Sequence, residues 1–338
     1  TQDNTALTYA LNPRVIETRV GDNTASVKKT AIEYNTVPGS PTVAEYGLVK
    51  KVEVGDLSTV WNKVETDYNL SPDYVTKRIL GLPSETRAWG KNDLTLALEF
   101  VSKATYDYDQ GNFGDTTLNQ NISTATQHDY ANYGSTFIVG RGNLTATTRC
   151  DVTVSGDTPG SSCGGSVTST VKYNTTGAPV SQTDPVGRVT RIGYTDVFNS
   201  NGNPATFAYP TTLTDPAGTG LGDVLHSSTV KYRYDMGANV WAKSPAPQGQ
   251  AQGKITEREY DDKGRLIKDK IVNHGGAYTR YEYPTNGIQS KVYSTIIDTN
   301  NSGTGDAADE VLTESWTDGA GRVRGARTEH PGSIGGWS

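Results

Sequence analysis

The chain has 338 residues and a formal net charge of −6, so it lacks the basic stripe that nucleic-acid phosphates require. No run of about 18 apolar residues is available to span a bilayer. The opening Thr1-Gln2-Asp3-Asn4 has no basic stretch followed by an apolar one, so any secretory leader is expected to have been removed or to lie outside this sequence.

Composition points to turns and thin sheets. Hydrophobic residues make up 34%, and 37 Gly and 15 Pro multiply the reversals of the chain. With 19 Tyr against 5 Phe, 5 Trp and a single Met, much of the apolar packing uses rings that carry a hydroxyl, which suit sheets with one wet face.

In chain order, the first patterned segment is Asp93 to Ala104, whose leucines alternate with period two and predict a strand. Tyr108-Asp109-Gln110-Gly111-Asn112 then reads as a turn, and Gly142-Asn143 and Gly202-Asn203 repeat its ending. Cys150 and Cys163 flank a segment holding Gly156, Pro159 and Gly160, which predicts two strand ends bridged by a disulfide in an oxidising compartment. Further on, Thr183-Asp184-Pro185-Val186-Gly187-Arg188-Val189 is followed by a period-two strand, Thr229 to Tyr234. Tyr260-Asp261-Asp262-Lys263-Gly264-Arg265-Leu266 comes next, then two more alternating runs, Tyr278 to Tyr283 and Ser290 to Ile296. Thr317-Asp318-Gly319-Ala320-Gly321-Arg322-Val323 closes the series.

The recurring unit is Asp-x-x-Gly-Arg-apolar. Asp in the first position can bond main-chain N–H groups two residues on, and Gly accepts a positive φ where another residue would clash. The chain therefore reverses into an antiparallel hairpin. A lone hairpin cannot bury its own face, whereas hairpins added edge to edge form one sheet with only its ends exposed. The expectation is an all-β fold of consecutive antiparallel hairpins in a curved or spiralling sheet, one continuous segment over residues 1–338.

These residues resemble the YD-repeat, or Rhs, family of bacterial proteins, and more distantly the repeat shell of animal teneurins. The likeness rests on the turn copies above, on His128-Asp129-Tyr130-Ala131-Asn132-Tyr133-Gly134-Ser135, on Arg141-Gly142-Asn143-Leu144-Thr145 and on Ser315-Trp316 before the last turn. The resemblance implies a strip of hairpins forming the wall of a hollow shell or fibre, at the cell surface or secreted. It also implies a fragment of a longer chain, partnered by other segments of that chain or by further copies of itself. In the family such shells enclose a C-terminal toxin or serve cell contact. The Asp-Pro-containing self-cleavage region of toxin-bearing members is not found in this sequence.

Signals for catalysis are sparse. His128, His226, His274 and His330 stand apart from any nucleophile motif, and no Gly-x-Ser-x-Gly elbow, Walker loop or dinucleotide fingerprint occurs. Asp109, Asp184, Asp261 and Asp318 hold one place in a repeated motif, which argues for structure over an acid/base pair. Arg188, Arg265 and Arg322 are expected to pair with turn carboxylates. No enzyme is expected, and no cofactor is required.

One segment has the layout of a calcium loop. Asp298, Asn300, Ser302, Asp306 and Asp309 place oxygen donors at positions 1, 3, 5, 9 and 12, with Gly303 at position 6 and the carbonyl of Thr304 at position 7. A carbohydrate-binding adhesion module is the alternative reading, with Trp61, Trp89, Trp241 and Trp316 stacking on surface glycans. Asn69, Asn121, Asn143, Asn174 and Asn300 each open an Asn-x-Ser/Thr triplet, which a Thr- and Asn-rich β protein produces by chance.

Overall fold

The computed structural model describes residues 14–21, 27–37, 40–111, 125–126, 128–195, 206–216, 226–247, 249–273, 275–285, 288–295 and 300–329. Contacts divide the chain into two compact units. One comprises Thr1–Ser123 with His128–Val189, and the other Thr124–Gln127 with Thr190–Ser338.

The first unit carries β1 (Glu17–Gly21), β2 (Val27–Val37), β3 (Ser40–Gly55), β4 (Val60–Tyr68), β5 (Pro83–Lys91), β6 (Leu98–Tyr108), β7 (Leu144–Cys150), β8 (Ser166–Tyr173) and β9 (Pro179–Thr183). Each strand pairs antiparallel with the next. Two single-turn helices, α1 (Pro72–Val75) and α2 (Tyr130–Tyr133), lie in the connections after β4 and β6.

The second unit follows the same plan with β10 (Val189–Gly193), β11 (Thr212–Asp215), β12 (His226–Arg233), β13 (Ala238–Lys243), β14 (Ile255–Tyr260), β15 (Leu266–Ile271), β16 (Tyr278–Glu282), β17 (Gln289–Thr295), β18 (Glu310–Thr317) and β19 (Val323–Thr328). These strands too pair antiparallel in sequence order. The fold is thus all-β, a run of consecutive antiparallel hairpins.

The strand expected over residues 93–104 begins only at Leu98. Upstream, the Asn92 side-chain oxygen accepts the N–H groups of Leu94 and Thr95 at 2.8 and 3.2 Å. That captures the backbone as a turn and leaves Leu94 and Leu96 in solvent. Alternating leucines read as a strand, but a local side-chain bond to the backbone outcompetes the ladder.

Burial is more polar than packing by tyrosine rings would give. Among the described residues the buried hydrophobics are few, including Tyr74, Trp89, Ala104, Ala146 and Val180. On β5 the inward positions are Glu85, Arg87 and Trp89. Arg87 and Lys103 are each 1% exposed. Arg87 meets Asp67 at 2.9 Å and Glu65 at 3.1 Å, and Lys103 meets Glu85 at 3.2 Å. Arg87 Nη1 also lies 3.1 Å from Glu85 Oε1, yet neither atom makes a hydrogen bond, so this contact is Coulombic.

The loop after β7 covers this cluster. Cys150 and Cys163 are joined with Cα atoms 5.2 Å apart, within the range a disulfide spans. Ser161, next to that bridge, accepts two hydrogen bonds from Lys103 Nζ, at 2.6 Å on its carbonyl and 2.9 Å on its hydroxyl. The ammonium is left with no exposed side-chain surface.

Candidate functional site

The repeated turn has one geometry. In each copy the first Asp oxygen accepts two main-chain N–H groups. For Asp184 they come from Val186 and Arg188 at 3.0 and 2.9 Å, for Asp261 from Lys263 and Arg265 at 2.9 and 2.8 Å, and for Asp318 from Ala320 and Arg322 at 2.9 and 3.0 Å. The second oxygen accepts Nε of the turn's own arginine, Arg188, Arg265 or Arg322, at 2.7 to 2.8 Å. The glycines Gly187, Gly264 and Gly321 take φ of +86°, +78° and +76°, the left-handed region that only Gly enters without strain.

These contacts hold all three carboxyls below the usual aspartate range. The largest cause is the main-chain N–H of the arginine.

Several further turns use the same device without the sequence signature. Asn174 replaces Asp and accepts the N–H groups of Thr176 and Ala178, each at 3.0 Å, with Gly177 at φ +85° and no arginine. Asp109 performs the same closure across a long insertion. Its N–H donates to the Asn143 carbonyl at 2.9 Å and its Oδ1 accepts the Asn143 N–H at 2.8 Å, with Gly142 at φ +78°. Gly111 also has a positive φ, +84°, but Gly142 and Asn143 fill the fourth and fifth places of the turn. Asn69 closes onto Leu82 through the main chain, its N–H donating to the Leu82 carbonyl at 2.8 Å beside Gly81 at φ +85°, while its side-chain oxygen accepts the Ser71 N–H at 3.2 Å.

Where a tyrosine precedes an Asx in this series, it has a task of its own. Tyr34, Tyr68, Tyr108 and Tyr173 donate their hydroxyls to the carbonyls of Val15, Val49, Pro83 and Leu144, at 2.8 to 2.9 Å. The last three acceptors are the residues paired across the preceding hairpin with that hairpin's own tyrosine: Tyr34 with Val49, Tyr68 with Pro83, Tyr108 with Leu144. In the second unit Tyr260 reaches Asn239 and Tyr283 reaches Leu266, at 3.0 and 2.9 Å. The hairpins that carry these tyrosines are therefore tied to the one before by a phenol, in addition to the backbone ladder; at the Asp184 and Asp318 turns a threonine, Thr183 or Thr317, stands in the tyrosine's place. Burial pushes the hydroxyls of Tyr68, Tyr108 and Tyr173 above the ordinary phenol range. The signal was legible as Tyr-Asn or Tyr-Asp, but a search for Asp alone passes over Tyr34-Asn35, Tyr68-Asn69 and Tyr173-Asn174.

A cleft of about 700 Å³ opens at this turn end of the first unit. Lys77 follows α1, Tyr133 and Phe137 come from the insertion after β6, and Thr176 and Gly177 from the next turn. Arg141 forms one wall, with its guanidinium donating to the carbonyls of Tyr133, Gly134, Phe137 and Thr175 at 2.6 to 2.9 Å. His128 lines the same cleft. His226 sits exposed at the start of β12, and His274 and His330 lie outside the described residues.

In the calcium-loop segment, Asp298 also lies outside them. The remaining donors bond to one another. Asp306 Oδ1 caps the short 3-10 turn Ala307–Asp309, Asn300 Nδ2 donates to Asp306 Oδ2 at 2.8 Å, and the Thr304 carbonyl accepts the Ser302 hydroxyl at 2.6 Å. Among the described residues no group of three His, Cys, Asp or Glu stands together.

Three of the four tryptophans expected to stack on sugars carry a cation instead. Lys63 lies 3.5 Å from the Trp89 ring centre, Lys231 4.7 Å from Trp241 and Arg327 5.4 Å from Trp316. Of the Asn-x-Ser/Thr residues, Asn174 is fully buried and Asn69 and Asn143 close turns.

No family model matches the chain, and no curated protein matches it. Among solved structures it is similar to a TcdB2-TccC3-Cdc42 complex, with 11% identity, a TM-score of 0.38, and 94% of this chain and 15% of that chain covered. It is also similar to the Photorhabdus luminescens Tc holotoxin pore, with 10% identity, a TM-score of 0.35, and coverage of 93% and 15%. The chain spans only about 15% of the length of those it matches. Scores and identities this low carry no functional information.

Proposed function

We propose that this chain is a structural wall segment, a strip of hairpins belonging to a YD-repeat container or fibre outside the cell, with no catalytic role. The tyrosine ladder carries this reading. The residues that repeat, Tyr, Asx and Gly, are used up in closing hairpins and fastening them to their neighbours, which is what a wall needs and what a catalytic pair, unique by nature, does not. The disulfide at Cys150 and Cys163 fits an oxidising, extracytoplasmic setting. Partners under this reading are neighbouring hairpins of the same assembly, and an enclosed cargo would be held by the wall's shape.

Electron microscopy of the native protein, isolated from its source without denaturation, tests the proposal. A closed hollow particle or a regular fibre is the expected result. A dispersed globular protein with no wall or filament would overturn it.

A further inference from the structure

We infer that the cleft at the turn end of the first unit is a binding site for an acidic saccharide, a sugar ring bearing a carboxylate. The first observation concerns the insertions. Tyr260 and Leu266 pair across a turn of five residues, and the pairs Tyr68 with Pro83 and Tyr108 with Leu144 are closed alike, by the Asx N–H donating across the turn beside a glycine of positive φ. Residues 70–80 and 128–141 are therefore surplus in length to a five-residue turn, although the N–H groups of Ser71, Gly140 and Arg141 also donate to the turn residues Asn69 and Asp109. They supply most of the cleft lining, and surplus loop on a rigid scaffold is where binding residues concentrate.

The chemistry of the lining gives the ligand class. The cleft is of the size that small-molecule sites occupy, and its described lining contains two cations, Lys77 and Arg141, and no carboxylate. Arg141 is committed to main-chain carbonyls, so it fixes the wall and adds positive charge without itself reaching out. Lys77 donates once, to the Asp73 carbonyl at 2.9 Å, which leaves two ammonium donors for an anion. Gly140 makes room for it, since a Cβ there would stand 2.5 Å from Lys77 Nζ.

The same lining suits a sugar. Tyr133 is about half exposed, packs edge-on against Phe137 at 5.4 Å and offers a face to a ring. Asn132 and Asn143 supply amides for hydroxyls. The nearby Asp129 carboxylate is held by Asn132 at 2.7 and 3.2 Å and is not among the described residues that line the cleft.

The experiment is saturation-transfer NMR and calorimetry on the whole chain, with glucuronic acid as probe and glucose as its neutral counterpart. Glucuronic acid is expected to bind measurably better than glucose. Lys77→Met is expected to weaken it about tenfold, the loss of one charge-assisted contact, and Lys77→Arg to restore most of it. Lys254→Met, in the second unit, is the control and should change nothing. Because Lys77 also closes a helical turn, circular dichroism must show Lys77→Met folded; Tyr133→Ala, which removes the stacking face along with its edge contact to Phe137 and is held to the same folding check, should then weaken binding as well. Equal binding of glucose and glucuronic acid, absence of saturable binding, or indifference to both variants would overturn the assignment.

Discussion

At the scale of single residues, the turn aspartates act as anchors for main-chain N–H groups, and Asn174 shows which part of that role is essential. Asn174 keeps the oxygen that accepts two N–H groups and gives up the bond to arginine. Asp261→Asn is therefore expected to lower the denaturation midpoint less than Asp261→Ala, which removes both. Equal losses in urea titration would show that the arginine contact dominates. The same carboxyls set a pH window. Their folded-state pKa lies below the unfolded value of about 3.9, so their contribution is present above that value and is lost as pH falls through the depressed folded one. Acid titration by side-chain NMR should find Asp184, Asp261 and Asp318 protonating late. Ordinary aspartate behaviour would mean the turn bonds are not kept in solution.

The tyrosines give a prediction of opposite sign. Tyr108→Phe leaves the Pro83 carbonyl without its hydroxyl partner and should cost about 1 kcal/mol. Because burial raises the pKa of Tyr68, Tyr108 and Tyr173, the protonated hydroxyl stabilises the fold fully below the unfolded phenol value of about 10. That stabilisation is lost as pH rises through the higher folded values. Phenolate absorbance should show a late-ionising group that shrinks in Tyr108→Phe; a single titration near the unfolded value would remove the ladder's energetic role.

At the scale of elements, the loop from Cys150 to Cys163 lies over a buried ionic cluster. Lys103 has its ammonium held by Ser161 and Glu85, and breaking such a buried arrangement from one side costs several kcal/mol. Reduction of the disulfide frees the loop that supplies Ser161. We expect reduction to lower the melting temperature and to make Lys103 reactive toward an acylating reagent, read by peptide mass spectrometry. Unchanged Lys103 labelling after confirmed reduction would show that the loop stays seated without its bridge.

This cover is also where sequence reading stopped short. Asp-x-x-Gly-Arg encodes its hairpins through contacts within five residues, so the turns and the all-β class were legible. The insertion spanning Asp109 to Asn143 was not, because the closing Gly142 stands far along the chain from the Asp it serves. Nor was the ionic interior, since Glu85, Arg87 and Lys103 occupy the period-two places that usually mark an apolar face. The cleft was invisible for a related reason: its lining comes from insertions whose only sequence trait is that they interrupt the repeat.

At the scale of the whole molecule, the backbone of each strand pairs, among the described residues of each unit, only with its sequence neighbours, the tyrosine ladder joins adjacent hairpins, and a longer reach such as that of Tyr278 and Arg280 in β16 to Glu310 in β18 skips a single strand. Stability in such an arrangement is close to a sum of hairpin terms and nearest-neighbour terms. A perturbation should therefore stay local, unlike one in a single shared core, where loss of a contact lowers protection everywhere through global unfolding. Tyr108→Phe tests this directly. Hydrogen exchange followed by mass spectrometry should show faster exchange in β5 to β7, where the lost bond linked two hairpins, with a smaller change in β2 and β3. Strands β16 to β19 belong to the other unit and share no bonded neighbour with Tyr108, so their protection should be unchanged. If protection instead falls uniformly across both units, the chain unfolds as one cooperative body, and the hairpin-by-hairpin account of its stability is wrong.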